Sequence, residues 1–135
     1  MVQFPIYDLK KHPEGIRFDQ TLDVKAELLE RNPEILDLSP VSVVGQVRFE
    51  AGLFFLDYEL SYDITMASSR SLNPVSWRES YPVLELFVET EGQLKDQDLV
   101  DEDLVLVLEG DYLVLDESVA DNILLHLPSK VLTPE

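Results

Sequence analysis

Residues 41–66 read VSVVGQVRFEAGLFFLDYELSYDITM, and this stretch decides the fold. In Val41–Glu50, Val41, Val43, Gly45, Val47 and Phe49 share one face of an extended chain, while Ser42, Gln46, Arg48 and Glu50 mostly take the other. Ala51-Gly52 is a short turn. From Leu53 to Met66, Phe54, Leu56, Tyr58, Leu60, Tyr62, Ile64 and Met66 alternate with Asp57, Glu59, Ser61, Asp63 and Thr65. Side chains on a strand point to opposite faces with period two, so each run is a half-buried strand. The two-residue linker predicts that they pair as an antiparallel hairpin. A strand as long as the second twists strongly or bends round a barrel-like sheet.

Outward from this hairpin, the flanks read as a mixed α/β lead-in and a closing helix. Phe4, Ile6 and Leu9 are apolar anchors, and Asp8 is placed to cap a short turn through Lys11 before Pro13 and Gly15 break it. Ile16, Phe18 and Gln20 alternate with Arg17, Asp19 and Thr21 as a strand. Asp23 is a cap for a helix over Val24–Arg31, with Leu28 and Leu29 inward and Asn32-Pro33 as the stop. Downstream, Ala67–Pro74 is a polar loop, and a third strand starts at Val75 with Trp77, Tyr81 and Val83 on one face. After Pro82 the apolar parity moves to Leu84, Leu86 and Val88, which suggests a bulge or edge kink. Gly92–Glu102 reads as an acidic, mobile connection. Leu104–Leu108 is apolar throughout, as in a strand covered on both faces. Gly110-Asp111 makes a turn, and Tyr112–Leu115 is a short partner strand. Asp116 is the N-cap candidate for a helix with Val119, Ala120, Ile123, Leu124 and Leu127 as its stripe, ended by Pro128. The expected fold is α+β: a mainly antiparallel, strongly twisted or barrel-like sheet, with short N-terminal helices and a C-terminal helix. At 135 residues the chain fits one domain, spanning 1–135.

Charge is distributed unevenly. Up to Ser80 there are 8 Lys/Arg against 13 Asp/Glu, and beyond it 2 against 14, so the two parts carry net −5 and −12. Thirteen of the 27 acidic residues lie between Glu85 and Asp121, where Lys95 is the sole basic residue. Such a field repels phosphate and anionic lipid and attracts basic surfaces. A cationic protein partner is therefore expected before nucleic acid, and neither DNA nor a membrane is. Apolar content of 45% argues against disorder despite the charge. Cysteine is absent, which excludes disulfides, thiol catalysis and thiolate metal sites. With no apolar run near the ~20 residues of a membrane helix and no signal-peptide pattern at Met1–Phe18, a cytoplasmic location is expected.

No residue pattern points to a reaction centre, so no catalytic residue, cofactor or metal ion is expected. His12 lies in a polar segment, and His126 falls on the solvent side of the closing helix. There is no Gly-x-Ser-x-Gly, and the glycines at 15, 45, 52, 92 and 110 stand singly, so neither a nucleophile elbow nor a phosphate loop is present. Asp96, Asp98, Asp101 and Asp103 offer oxygen ligands, but the run lacks the sixth-position glycine and terminal glutamate of an EF-hand loop. They read as a hydrated loop and as candidate contacts for a basic partner. Tyr58, Tyr62, Trp77 and Tyr81 could stack on RNA bases, yet they fall on apolar strand faces and read as core. A basic spot could be assembled from Lys10, Lys11, Arg17, Arg48, Arg70 and Arg78, which would confine any RNA contact to the first part of the chain.

The order of these pieces resembles a known family. Phe4…Leu9…Gly15…Phe18 precedes the strand pair Val43–Gly45 to Met66; the loop Ser68-Ser69-Arg70-Ser71-Leu72 follows, then Ile123-Leu124-Leu125-His126-Leu127-Pro128. Together they resemble the bacterial YceD family, the large ribosomal RNA subunit accumulation proteins. The likeness is closest to the form of low-GC Gram-positive bacteria, to which Asn32-Pro33-Glu34-Ile35 and Gly110-Asp111 also correspond. Where many members carry Cys-x-Arg-Cys-Leu, this chain has Ser68 and Ser71 in place of the cysteines and keeps Arg70 and Leu72. The cysteine-rich tail of many relatives has no counterpart in these 135 residues. The resemblance implies a non-enzymatic part in the synthesis, processing or stability of large-subunit (23S) ribosomal RNA, with Arg70 as the position to carry over as functional. Members are commonly encoded beside a small basic large-subunit ribosomal protein. The implied partners are thus ribosomal RNA, through the Arg70 loop, or that basic protein, through the acidic part. The alternative is an acidic protein-interaction module unrelated to ribosomes.

Overall fold

The structure, a computed structural model, describes residues 2–90, 105–108 and 110–128. In chain order its elements are β1 (Gln3–Pro5), α1 (Ile6–Lys11), β2 (Ile16–Leu22), α2 (Lys25–Arg31), β3 (Ile35–Leu38), β4 (Val41–Glu50), β5 (Leu53–Ala67), β6 (Pro74–Val88), β7 (Val105–Val107), β8 (Tyr112–Val114) and α3 (Leu115–His126). The expected hairpin is present: β4 and β5 pair antiparallel from Ser42↔Ser61 to Glu50↔Leu53. Ala51 and Gly52 both have positive φ, 53° and 83°, the left-handed backbone that a two-residue turn needs to match strand twist.

Among the described residues six strands form the main sheet, in the order β2-β4-β5-β6-β7, with β3 pairing the far end of β5. The expectation of a barrel-like, mainly antiparallel sheet is corrected in two respects. Among the described residues the outer strands β2 and β7 do not meet, so the sheet is open. It is also mixed, because β7 runs parallel to β6, from Leu86↔Val105 to Val88↔Val107. Tyr112–Val114 does not partner β7 as expected; it pairs with β1 in a separate two-stranded sheet.

One face of the sheet carries the core. Phe18, Val43, Val47, Phe54, Leu56, Leu60, Tyr62 and Ile64 meet Ile6 and Leu9 of α1, Leu28 of α2, and Leu115, Val119, Ala120 and Ile123 of α3. Burying each such aliphatic or aromatic side chain contributes about 1.5–3 kcal/mol, so the alternation of β4 and β5 supplies much of the driving force. The parity change after Pro82 has a different cause from the bulge inferred above. The β5–β6 register runs unbroken from Phe54↔Phe87 to Ala67↔Pro74, with Pro82 opposite Glu59. Leu86 and Val88 instead join Leu53, Phe55 and Val105 in a second small cluster on the opposite face. Val105 is buried there while Leu106 and Val107 are exposed, so β7 is an edge strand covered on one side only.

Helix ends also differ from the sequence reading. Asp8 lies within α1, whose N-cap position is Pro5. Asp23 does hold the entry to α2, accepting the Lys25 amide at 3.2 Å, although the N-cap position is Val24. Asp116 does not cap α3, whose N-cap position is Val114; its carboxylate accepts the Val2 amide at 2.6 Å and ties the helix to the start of the chain.

Two polar or steric details fix how α3 sits. Gly45 faces the core between Phe18 of β2 and Tyr58 of β5, its partners in register. A Cβ there would lie 2.1 Å from the Asp57 carbonyl oxygen and 2.5 Å from Tyr58 Cα. Its absence lets β4 and β5 approach closely, and the Phe18 and Tyr58 rings, 6.3 Å apart, cover the gap. Tyr58 then donates its hydroxyl to Ser118 Oγ on α3 at 2.8 Å, and Ser118 in turn donates to the Glu85 carboxylate of β6. Asn122 adds a bond to the Ser118 carbonyl at 2.8 Å. Burial pushes the Glu85 pKa up, partly offset by the bonds from Ser118 and Asn122, and burial likewise raises that of Tyr58.

Gly45→Ala should therefore destabilise the fold by about 3 kcal/mol or more, because the methyl meets backbone that cannot move aside; a urea melt reads this directly, and an unchanged midpoint would refute the close approach. Glu85 has a higher pKa folded than unfolded, so its stabilising contribution is complete below the unfolded value and is lost as pH rises through the folded one. Glu85→Gln keeps an acceptor for Ser118 without the charge. It should melt above the parent at pH 7 and converge with it in acid, as thermal melts across pH would show.

Candidate interaction site

The Arg70 loop is the tip of the long β5–β6 ribbon. Ser68 is fully buried at its base. Its Oγ accepts the Arg70 and Ser71 amides at 3.2 and 3.4 Å, its amide donates to the Asn73 carbonyl at 2.8 Å, and its carbonyl accepts the Leu72 amide at 3.0 Å. Ser71 Oγ takes the Asn73 amide at 3.3 Å. Ser68 and Ser71 thus act as loop formers, while Arg70, Ser71 and Leu72 are exposed. Asn32-Pro33-Glu34-Ile35 lies alongside, for the Glu34 carbonyl accepts the Ala67 amide at 3.2 Å.

The cations named as a basic spot divide between two places: Arg17 lies opposite Gln46, two residues from Arg48 on β4, and Lys10 lies over the Phe49 ring at 5.8 Å, while Arg78 and Arg70 lie towards the other end of β5. Arg48 sits opposite Phe55 and Arg78 opposite Asp63, whereas Arg70 lies beyond Ala67. At about 3.3 Å per residue, Arg48 and the tip are separated by roughly 40 Å along β5. Lys10 pairs with Glu89 at 2.5 Å, Arg48 with Glu50 at 3.0 Å and Arg78 with Asp63 at 3.4 Å. Of the four aromatics weighed for stacking, Tyr58 and Tyr62 are buried, and Trp77 and Tyr81 pack half-buried against the core.

Asp96, Asp98, Asp101 and Asp103 lie outside the described residues, as does all of Gly92–Glu102. Within the described part of the acidic segment, several carboxylates are engaged by the fold. Glu89 pairs with Lys10, Asp121 with Arg31 of α2 at 3.0 Å, and Asp116 with the Val2 amide. Asp111 and Glu117 are exposed. Glu85, Glu117 and Asp121 line a cleft of about 310 Å³ whose apolar walls come from Phe87, Leu106 and Tyr112. His126 is exposed on α3, as expected, and it is also engaged: its Nε2 meets Glu79 at 2.6 Å and its ring stacks on Tyr81 with centroids 3.7 Å apart. Tyr81 in turn bonds Tyr62 through their hydroxyls at 2.9 Å. Among the described residues no group of three or more His, Asp or Glu side chains is arranged to hold a metal ion.

Sequence reasoning missed Glu85 and Ser118, and both left a signal. Glu85 occupies the inward parity of β6 between Val83 and Phe87, and Ser118 falls among Leu115, Val119 and Ala120 on the buried side of α3. A polar residue on each of two facing apolar surfaces suggests a bond between them.

Comparison with known proteins agrees with the loop and helix pattern. A family model described as "Large ribosomal RNA subunit accumulation protein YceD" matches residues 56–135. The Bacillus subtilis (strain 168) protein named "Uncharacterized protein YlbN" is 27% identical over 131 residues, which cover 96% of this chain and 73% of that one. No solved structure matches. The family match takes in most of β5, the Ser68–Leu72 tip, the acidic segment and α3, and the chain belongs to the YceD family.

Proposed function

We propose that this protein is a non-enzymatic cytoplasmic factor that supports the accumulation of large-subunit (23S) ribosomal RNA by holding a basic large-subunit ribosomal protein on its acidic part. The observation that carries this reading is that the family match, residues 56–135, contains the whole of the segment Glu85–Asp121 with its thirteen carboxylates. A ribosomal protein made to neutralise phosphate is cationic, and a negative field speeds its capture and shields it from nonspecific RNA. Direct RNA binding by this chain has less support. Nucleic-acid affinity comes from several cations acting on adjacent phosphates, and here Lys10, Arg48 and Arg78 are each paired with a carboxylate. None of the described helices is long and apolar enough to cross a membrane.

Affinity capture from cells at two salt concentrations tests the reading. Basic large-subunit ribosomal proteins or precursor particles should be recovered at low salt and lost as salt screens the field. Neutralising Asp96, Asp98, Asp101 and Asp103 to Asn should lower the association rate several-fold while leaving the urea midpoint in place. Recovery of an unrelated complex alone, or capture indifferent to both salt and the four substitutions, would discard the proposal.

A further inference from the structure

The cleft beside α3 combines features that no single element supplies. Leu106 of β7 shares a face with its register partner Phe87, and Glu85 lies two residues back along β6 on that same face. Tyr112 of β8 and Glu117 of α3 complete the lining of a space of about 310 Å³. Leu106 and Tyr112 are 46% and 44% exposed, so the apolar walls stand open to solvent. Among the described residues, every charged side chain that lines the cleft is a carboxylate. Asp121 has Arg31 as its partner at 3.0 Å, but Glu117 is exposed and has no cationic partner among the described residues. Glu85 is half-buried and bonded to Ser118, and burial pushes its pKa up. Such a lining does not suit a simple ligand. A wholly apolar compound would desolvate carboxylates without pairing them, and a bare metal ion would gain nothing from apolar walls.

We infer that this cleft takes a lysine or arginine side chain of a basic protein partner, with the aliphatic stem against Phe87, Leu106 and Tyr112 and the cationic head at Glu85 and Glu117. Long cationic side chains lay their stems on apolar surface while keeping the charge among polar groups, and the lining offers both. A cation at Glu85 also favours the ionised carboxylate that burial disfavours. The exposed Tyr112 ring adds attraction for a positive charge. Phosphate is repelled by the same carboxylates, so the cleft is not an RNA contact. The identity of the partner rests on the ribosomal reading above; what is added is that its charge is received in a shaped slot and not by a diffuse field alone.

Two short basic peptides of equal charge separate slot from field: a lysine peptide and its diaminobutyrate analogue, whose stems are two methylenes shorter. Both are offered in mildly acidic buffer, where both amines are charged, to the immobilised full-length protein and to Leu106→Thr, which suits a strand and leaves the net charge as it is. The parent should hold the lysine peptide roughly tenfold more tightly than the analogue, the fold-change expected for two buried methylenes. Leu106→Thr should erase that difference without moving the urea midpoint. Equal retention of the two peptides by the parent overturns the inference and leaves the ribosomal reading in place, since a diffuse field responds to charge alone. A difference that survives Leu106→Thr overturns it too, and so does a markedly lowered midpoint, which would make Leu106 part of the folded core. Spermidine held as tightly as the lysine peptide, and in the same Leu106-dependent way, overturns it in favour of a small polyamine. Basic large-subunit ribosomal proteins stripped of RNA should follow the lysine peptide. If they are held at no salt concentration while the lysine preference stands, the ribosomal reading falls and the slot for a cationic side chain remains.

Discussion

The close passage of β4 past β5 at Gly45 is the constraint on which the rest of the structure depends. With a hydrogen where every neighbour on that face carries a bulky side chain, the two strands come near enough for Phe18 and Tyr58 to close over the gap. That places the Tyr58 hydroxyl where Ser118 can receive it, and Ser118 passes the bond on to Glu85. The apolar stripe of α3 would bind an apolar sheet at many angles, since the hydrophobic effect is not directional. A hydrogen-bonded chain through three elements selects one of them. The carboxylate at its end is the cost of that selection, because its charge is less well solvated there than in the unfolded chain.

How much of this was legible depended on whether the determining contact was local. The β4–β5 hairpin could be read from alternation and a two-residue turn, both contained within residues 41–66. The sequence also located β6, but the change of parity after Pro82 looked like a break in the ladder. It marks a change in which face is covered, and this depends on β7 arriving from Val105–Val107. Pairing of β8 with β1 and of Asp116 with Val2 was hidden for the same reason: the partner lies at the other end of the chain. A carboxylate just inside a helix start resembles a cap in sequence whether or not it serves as one.

The candidate site divides along the same line. Family resemblance and polar composition were enough to find the Ser68–Leu72 tip, and the serines there proved to organise the loop. Leu72 has a positive φ of 64°, which had no trace in the residue types, since such backbone favours glycine or asparagine. Net charge was legible as a sum, but not its internal use. Lys10 and Arg31 come from the less acidic part of the chain, and each draws a carboxylate of the other part into the fold. The net charge is unchanged by such pairing, but the field of the acidic part is locally weaker than its own residues would make it.

Because β1 finds its strand partner in Tyr112–Val114, the order of synthesis matters to how the molecule is completed. Ribosomes release the chain from its amino end, and domains fold as their parts emerge. The β4–β5–β6 meander has its ladders close in sequence and can zip as it appears, but Gln3–Pro5 must wait for more than a hundred further residues. Closing so long a loop is entropically slow compared with adjacent pairing. The Val2–Asp116 bond, spanning 114 positions, then acts as a clasp that forms after the body of the sheet exists. A nascent chain of this protein thus carries an assembled sheet and an unfastened leading end until α3 has been made.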